Sequence, residues 1–341
     1  MSDQRTIVQH SAIVSPAAPG SSPRITGALE EMEPRAGLVS VVIPTYNYAR
    51  FLGEAIQSVV DQTYPSVEII VVNDGSTDDP AAIVANFEAV GFITQQNQGL
   101  SAARNAGLAA SRGELVVFLD ADDRLLPDAI ATGARLLADN PSLGFAAGYS
   151  RFISVDGMPL ATVNRPVSRE HEPYVALLAH NSIRNPAAVV FRRLVLDAVG
   201  GFVSGHDACA DLELYLRITR SFPVAFHEVT VAEYRRHGEN MSDNAAVMLR
   251  QALEVLGQQR PHLVTAARRQ ALREGKRGIR AHFGDLLVEQ IRARVRNRSE
   301  WRRLVQDVAV LSRFDPAAVF EHAGRKLRAL RRGADAPESA A

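Results

Sequence analysis

Glu114-Leu115-Val116-Val117-Phe118-Leu119-Asp120-Ala121-Asp122-Asp123 decides how this chain is read, because an apolar run of strand length delivers three carboxylates where the strand should end. Carboxylate oxygens are hard ligands suited to Mg²⁺ or Mn²⁺, and Mg²⁺ is usually held by one or two carboxylates together with substrate phosphates. A diphosphate is therefore the natural third party. The plainer reading is a polar turn closing a strand, since Asp is frequent in turns. Asp-x-Asp alone does not separate the two.

Working outward, Val39-Ser-Val-Val-Ile-Pro-Thr45 and Val67-Glu-Ile-Ile-Val-Val-Asn-Asp74 are short, β-branched apolar runs bounded by turn residues, the pattern of parallel strands covered on both faces. Helical spacing follows each. Phe51, Leu52, Ala55, Ile56 and Val59 share one face over residues 50–62, and Ile83, Val84 and Phe87 do so over 78–90. A third unit runs from Phe92-Ile-Thr94 through a helix at 100–110 into the Asp120 strand. Alternating strands and helices of this kind build a parallel sheet with right-handed crossovers, and ligands bind beyond the carboxyl ends of its strands. Thr45, Tyr46, Asn47, Asp74 and Asp120 all fall there.

Five stretches, in this order and spacing, resemble the successive signatures of family-2 glycosyltransferases: residues 41–47 (Val-Val-Ile-Pro-Thr-Tyr-Asn), Gln62-Thr-Tyr64, residues 68–78 (Glu-Ile-Ile-Val-Val-Asn-Asp-Gly-Ser-Thr-Asp), residues 97–107 (Asn-Gln-Gly-Leu-Ser-Ala-Ala-Arg-Asn-Ala-Gly) and residues 118–123. The likeness is dense over 38–124 and thinner to about 242. It implies a GT-A fold, a nucleotide-binding, mixed but largely parallel α/β sheet flanked by helices and merged with an acceptor-binding half. It also implies inverting transfer from a nucleotide sugar, most often a UDP-sugar, with Mg²⁺ or Mn²⁺.

The same resemblance assigns roles. Asp74 corresponds to the residue that reads the nucleobase, with Pro44, Thr45 and Tyr46 lining the pocket; an Asx-type turn with Ser76 or Thr77 is the local alternative for Asp74. Arg104, among small neighbours, falls near the nucleotide or forms a salt bridge, and Asn105 reads as an interior hydrogen-bonding residue. Asp120 goes to the ribose and the surroundings of the cation, Asp122 to the cation itself. Asp123 is either a supporting ligand or the first-turn acid of a helix after Pro127. In Gly200-Gly-Phe202…Asp211-Leu-Glu-Leu-Tyr-Leu-Arg217 the matching Asp, the acceptor-activating base, is Asp211. The acid usually preceding it is Ala210 here, which leaves Asp207 and Glu213 as alternatives. Tyr234-Arg-Arg-His237 resembles the segment whose His closes on the diphosphate and ligates the metal, making His237 the candidate. Arg235 and Arg236 would face phosphates or solvent.

Composition narrows the classes. With 341 residues and 46% hydrophobic content the chain can bury one broad core or two fused ones. One cysteine, Cys209, excludes a disulfide framework and a multi-cysteine zinc site. The only lysines are Lys276 and Lys326, against a phosphatase or nucleotidyltransferase that needs a catalytic lysine in the sheet, and no Gly-x-Gly-x-x-Gly follows the first strand. From residue 245 onward 20 Arg and Lys face 10 Asp and Glu, while the formal net charge of the whole chain is zero. That basic region carries Leu287, Ile291 and Val295 at four-residue spacing beside a run of arginines around Trp301, a pattern for an anionic membrane surface or for packing on the catalytic domain.

The expected organisation is a flexible leader over 1–36, a catalytic domain over 37–244 divided at 124, a basic helical region over 245–332 and a flexible tail over 333–341. No apolar run of 18 residues and no secretory pattern appear. The expected place is cytoplasmic, with peripheral attachment to the inner face of the plasma membrane. The expected partners are a nucleotide sugar and a glycan or lipid-linked acceptor, and no nucleic acid. A catalytically inactive scaffold of the same fold is the alternative, on the strength of Ala210.

Overall fold

A computed structural model describes residues 34–161, 172–238 and 240–317. Most of the expected leader, and the tail with the last part of the basic region, lie outside the described residues. The chain divides into two compact units. One takes the described residues up to Leu177 and Asn181–Gly238; the other takes Leu178–His180 and the described residues beyond Gly238.

The first unit holds strands β1 (Arg35–Thr45), β2 (Val67–Asn73), β3 (Val90–Thr94), β4 (Gly113–Phe118), β5 (Arg124–Leu125), β6 (Phe145–Ile153), β7 (Val189–Arg192) and β8 (Ala225–Arg235). They form one eight-stranded sheet in the order β3-β2-β1-β4-β7-β6-β8-β5. The β3-β2-β1-β4 portion is parallel throughout, whereas β7 pairs antiparallel with both β4 and β6, so the sheet is mixed. Its helices include α1 (Ala49–Val60), α2 (Pro80–Val84), α3 (Leu100–Ala110), α4 (Ala129–Asp139), α6 (Arg193–Val199) and α7 (Ala210–Thr219); α5 spans Pro173–Ala179.

Helix α1 buries Phe51, Leu52, Ala55, Ile56 and Val59, the face that its spacing predicts. They pack on Val39, Val41 and Ile43 of β1 and Val71 of β2 in the main core. Helix α3 is made of small residues because it lies hard on the sheet. A Cβ at Gly107 would sit 2.2 Å from Val42 Cγ1. Helix α2 is five residues long, shorter than the 78–90 expected. Asn86 turns its amide back onto the carbonyls of Ala82 and Ile83, and Ala89 adopts φ +57°, so the chain leaves the helix early and enters β3.

The second unit carries α8 (Ala245–Gln258), α9 (Ala266–Ile279), α10 (Asp285–Asn297) and α11 (Trp301–Phe314). A π-type turn over Arg280–Gly284 joins α9 to α10. Leu249, Leu253, Leu287, Val288 and Leu311 form its core, with Ile291 packed against them. The predicted face of α10 is thus largely a packing face, from which Val295 departs, being 52% exposed. Among the described residues, no helix is long and apolar enough to cross a membrane.

Candidate active site

The carboxyl ends of β1 and β2 form the first wall. Pro44 and Thr45 are buried and Tyr46 is exposed, as a chain leaving the sheet requires. Thr45 Oγ1 is buried without a hydrogen-bond partner. Asn47, at φ +60°, accepts the Thr77 N–H at 2.7 Å, and its own N–H donates to Ser76 Oγ at 3.0 Å. These bonds lace the two loops together.

Asp74 accepts Gln95 Nε2 at 2.7 Å and the N–H groups of Gln98 and Gly99, each at 2.9 Å. Both oxygens are therefore engaged at the start of α3, where a helix N-terminus favours negative charge. The Asx-type turn that was the local alternative for Asp74 is made instead by Asn73, whose Oδ1 accepts the Ser76 N–H.

Arg104 projects from α3 to Asp120, with Nη2 donating to Oδ1 at 2.6 Å, and lies over the Phe202 ring. Its salt-bridge partner is thus Asp120. Its Nε is buried and without a partner. Burial pushes the Asp120 carboxyl up from its ordinary range, Arg104 pulls it down, and Asp122 raises it again. Asn105 is the interior residue expected, exchanging two hydrogen bonds with the Phe202 backbone.

Asp122 and His237 meet, with His237 Nε2 2.9 Å from Asp122 Oδ2. The imidazole stands among Tyr48 and Phe51 at ring-centroid distances of 5.4 and 5.3 Å. Two neighbouring octahedral ligands at the usual ~2.0–2.1 Å from Mg²⁺ lie about 2.9 Å apart, so this pair is close enough to share a cation that replaces the hydrogen bond between them. Among the described residues no group of three or more His, Cys, Asp or Glu is placed to hold a metal. Two protein ligands are what a cation shared with phosphates needs.

Asp123 is a fold residue: it accepts the Arg235 N–H at 2.9 Å and Asn185 Nδ2 at 2.8 Å. Burial first, then Asp122 and Asp120, push its carboxyl well above the ordinary range. Arg235, expected at phosphates or solvent, is fully buried. Its guanidinium donates to the carbonyls of Asp122 and Val155 and to Glu54 Oε2. Glu54 also receives Arg124, which binds Glu233 at 2.8 Å. This network holds the Asp122 loop, and sequence offered no signal for it.

The second wall is the start of α7. Ala210 is packed in the core, while Asp211 is partly exposed. Glu213 is held by Arg217 in a two-pronged bridge with both contacts at 2.6 Å, which removes it as a base. Asp207 is engaged too, accepting the Ser101 hydroxyl at 2.6 Å and the Ser101 N–H at 3.1 Å. Asp211 forms no ion pair among the described residues and is met by backbone N–H groups of its own turn. Burial raises its carboxyl above the ordinary range, Arg104 opposes this and Asp120 adds to it. The same groups act on the Tyr215 phenol, raised well above its usual range by burial and then by Asp211. Arg104, Asp120 and Asp211 therefore share one electrostatic site built from both halves of the sheet.

Residues 40–200 match the family model described as Glycosyl transferase family 2. An uncharacterized protein of Mycobacterium tuberculosis is 35% identical over 234 residues, covering 63% of this chain and 72% of the relative. The Escherichia coli chondroitin synthase is 29% identical over 215 residues, 61% of this chain but only 30% of the synthase. Among solved structures, residues 1–349 of Staphylococcus aureus TarS in complex with UDP-GlcNAc superpose with a TM-score of 0.60 at 20% identity, over 81% of this chain and 80% of that one. The chain belongs to glycosyltransferase family 2, with a GT-A fold, and is a glycosyltransferase.

Proposed function

We propose that the protein is a cation-dependent, inverting transferase moving a sugar from a nucleotide donor, most often a UDP-sugar, to an acceptor hydroxyl. The observation that carries this reading is the placing of Asp211 in the same electrostatic site as Arg104 and Asp120, although α7 and α3 belong to different halves of the sheet. Residues 37–124 then serve as the nucleotide half of a catalytic domain over 37–244, residues 125–244 as the acceptor half, and 245–332 as a basic helical region. UDP-GlcNAc in the TarS complex supports a nucleotide-sugar donor, and the chondroitin synthase relative supports a polysaccharide or glycoconjugate acceptor.

Asp122 and His237 would hold Mg²⁺ or Mn²⁺, which when bound neutralises charge on the departing diphosphate. Thr45, with its unmatched hydroxyl, and Tyr46 border the base, and Arg104 fixes Asp120 beside the ribose. Asp211 takes the proton of the acceptor hydroxyl as that oxygen bonds to the anomeric carbon. The bond from that carbon to the diphosphate breaks on the opposite face, so an α-linked donor yields a β-glycoside. Asp74 is assigned to shaping the α3 entrance.

The test is a nucleotide-sugar panel assayed with EDTA or Mn²⁺, with the anomeric configuration of the product read by NMR. A β-product formed only with the cation, and lost in Asp122→Asn, is expected. An α-product overturns inversion, full turnover of Asp122→Asn in EDTA overturns the cation, and absence of any donor turnover favours the inactive scaffold.

A further inference from the structure

We infer that the outer face of α11, with the α10–α11 turn, is a docking surface for an anionic lipid bilayer. The expected amphipathic stripe on α10 is mostly spent internally, since Leu287 is fully buried and Ile291 packs beside it. Helix α11 carries two apolar faces. Leu304 and Leu311 point into the bundle, whereas Trp301, Val305 and Val308, one turn apart on another face, are 57%, 69% and 43% exposed. Val295 stands exposed just before the turn.

The charge around this stripe selects its occupant. Between residues 292 and 303 there are six arginines and a single acid, Glu300. Arg296, Arg298 and Arg302 are exposed, while Arg294 bridges Glu300 and Asp307 and so clamps α10 to α11. Arg298 and Glu300 both take left-handed conformations, which turn the chain sharply and bring Val295 and Trp301 to the same end of the hairpin. An apolar strip headed by a tryptophan and rimmed by arginines matches the boundary between acyl chains and anionic headgroups. A second copy of this chain would bring the same arginines against themselves.

Trp301 is the only tryptophan in the chain, so its emission reports on this surface alone. The full chain is mixed with vesicles of phosphatidylcholine alone or with 30 mol% phosphatidylglycerol, and both co-sedimentation and Trp301 emission are followed. Binding with a blue shift is expected only with the anionic vesicles, and ~1 M salt reverses it as the Debye length falls to roughly 3 Å. Arg302→Gln is expected to lower partitioning about five-fold, and Val305→Asp with Val308→Asp to abolish the blue shift at an unchanged melting temperature. Equal binding to both vesicle types, or variants that bind as the wild type does, overturns the inference. A lipid-free blue shift accompanied by the mass of two chains would overturn it in favour of a second copy. Donor turnover, measured in parallel, is untouched by these substitutions, so failure here is distinct from failure of the catalytic reading.

Discussion

Asp211→Asn separates chemistry from stability because the two should move in opposite directions. The amide keeps an oxygen to accept the backbone N–H groups of the first α7 turn but cannot take the acceptor's proton. General-base catalysis contributes typically 10²–10⁴-fold, so transfer should fall by about that factor, or roughly 3–5 kcal/mol of barrier. Stability behaves otherwise. Burial raises the Asp211 carboxyl in the folded chain, so folding favours its protonated form; that contribution is fully present below the unfolded pKa of about 3.9 and is lost as pH rises through the folded value. At neutral pH the wild type carries a charge disfavoured by its partial burial, which Asn lacks, and the variant should melt at the same temperature or higher. The acid limb of wild-type transfer should likewise lie above the ordinary aspartate range. Initial rates of transfer and donor binding, each measured against pH beside thermal melts, test this. Wild-type transfer by the variant, or a lowered melting temperature with lost donor binding, would refute the assignment.

Gly107→Ala should cost about 1–3 kcal/mol by overpacking, since its Cβ would meet Val42 Cγ1 at 2.2 Å and Val72 Cγ2 at 3.1 Å; a melting temperature within a degree of wild type would contradict the close α3–β1 contact. Asp207→Ala removes the acceptor that ties the loop before α7 to Ser101 of α3. Turnover should drop with little change in donor KM, Ser101→Ala should show a weaker form of the same split, and a matching rise in donor KM would place Asp207 at the donor instead.

The sequence told most where one residue type had to repeat at fixed spacing. The inward face of α1 and the apolar strands were legible because burial imposes a period. The Asp120 loop was legible because carboxylates gather at a strand end only for a turn or a ligand. Hidden from it were bonds between residues far apart in sequence: Arg235 to Glu54, 181 positions away, and Asp207 to Ser101, 106 away. Such pairs leave no periodic trace. The turn at Asn73-Asp74 was hidden for a related reason: Asp-Gly-Ser describes a local turn equally well whether Asn73 or Asp74 makes it, and only the Gln95 side chain and the Gln98 and Gly99 N–H groups, brought alongside by β3, distinguish them. Residues 287–295 have a helical apolar period, but a period cannot say whether its face meets protein or lipid.

Asp123 gives up both carboxylate oxygens to Arg235 and Asn185, and Arg235 in turn grips the Asp122 carbonyl. The third acid of the cluster is thereby a tether, and it operates whether or not substrate is present. Ordering the loop is settled at folding, so the entropy of fixing it does not recur at each turnover and is not subtracted from donor affinity. An enzyme built this way can release its spent nucleotide without letting the strand end unravel.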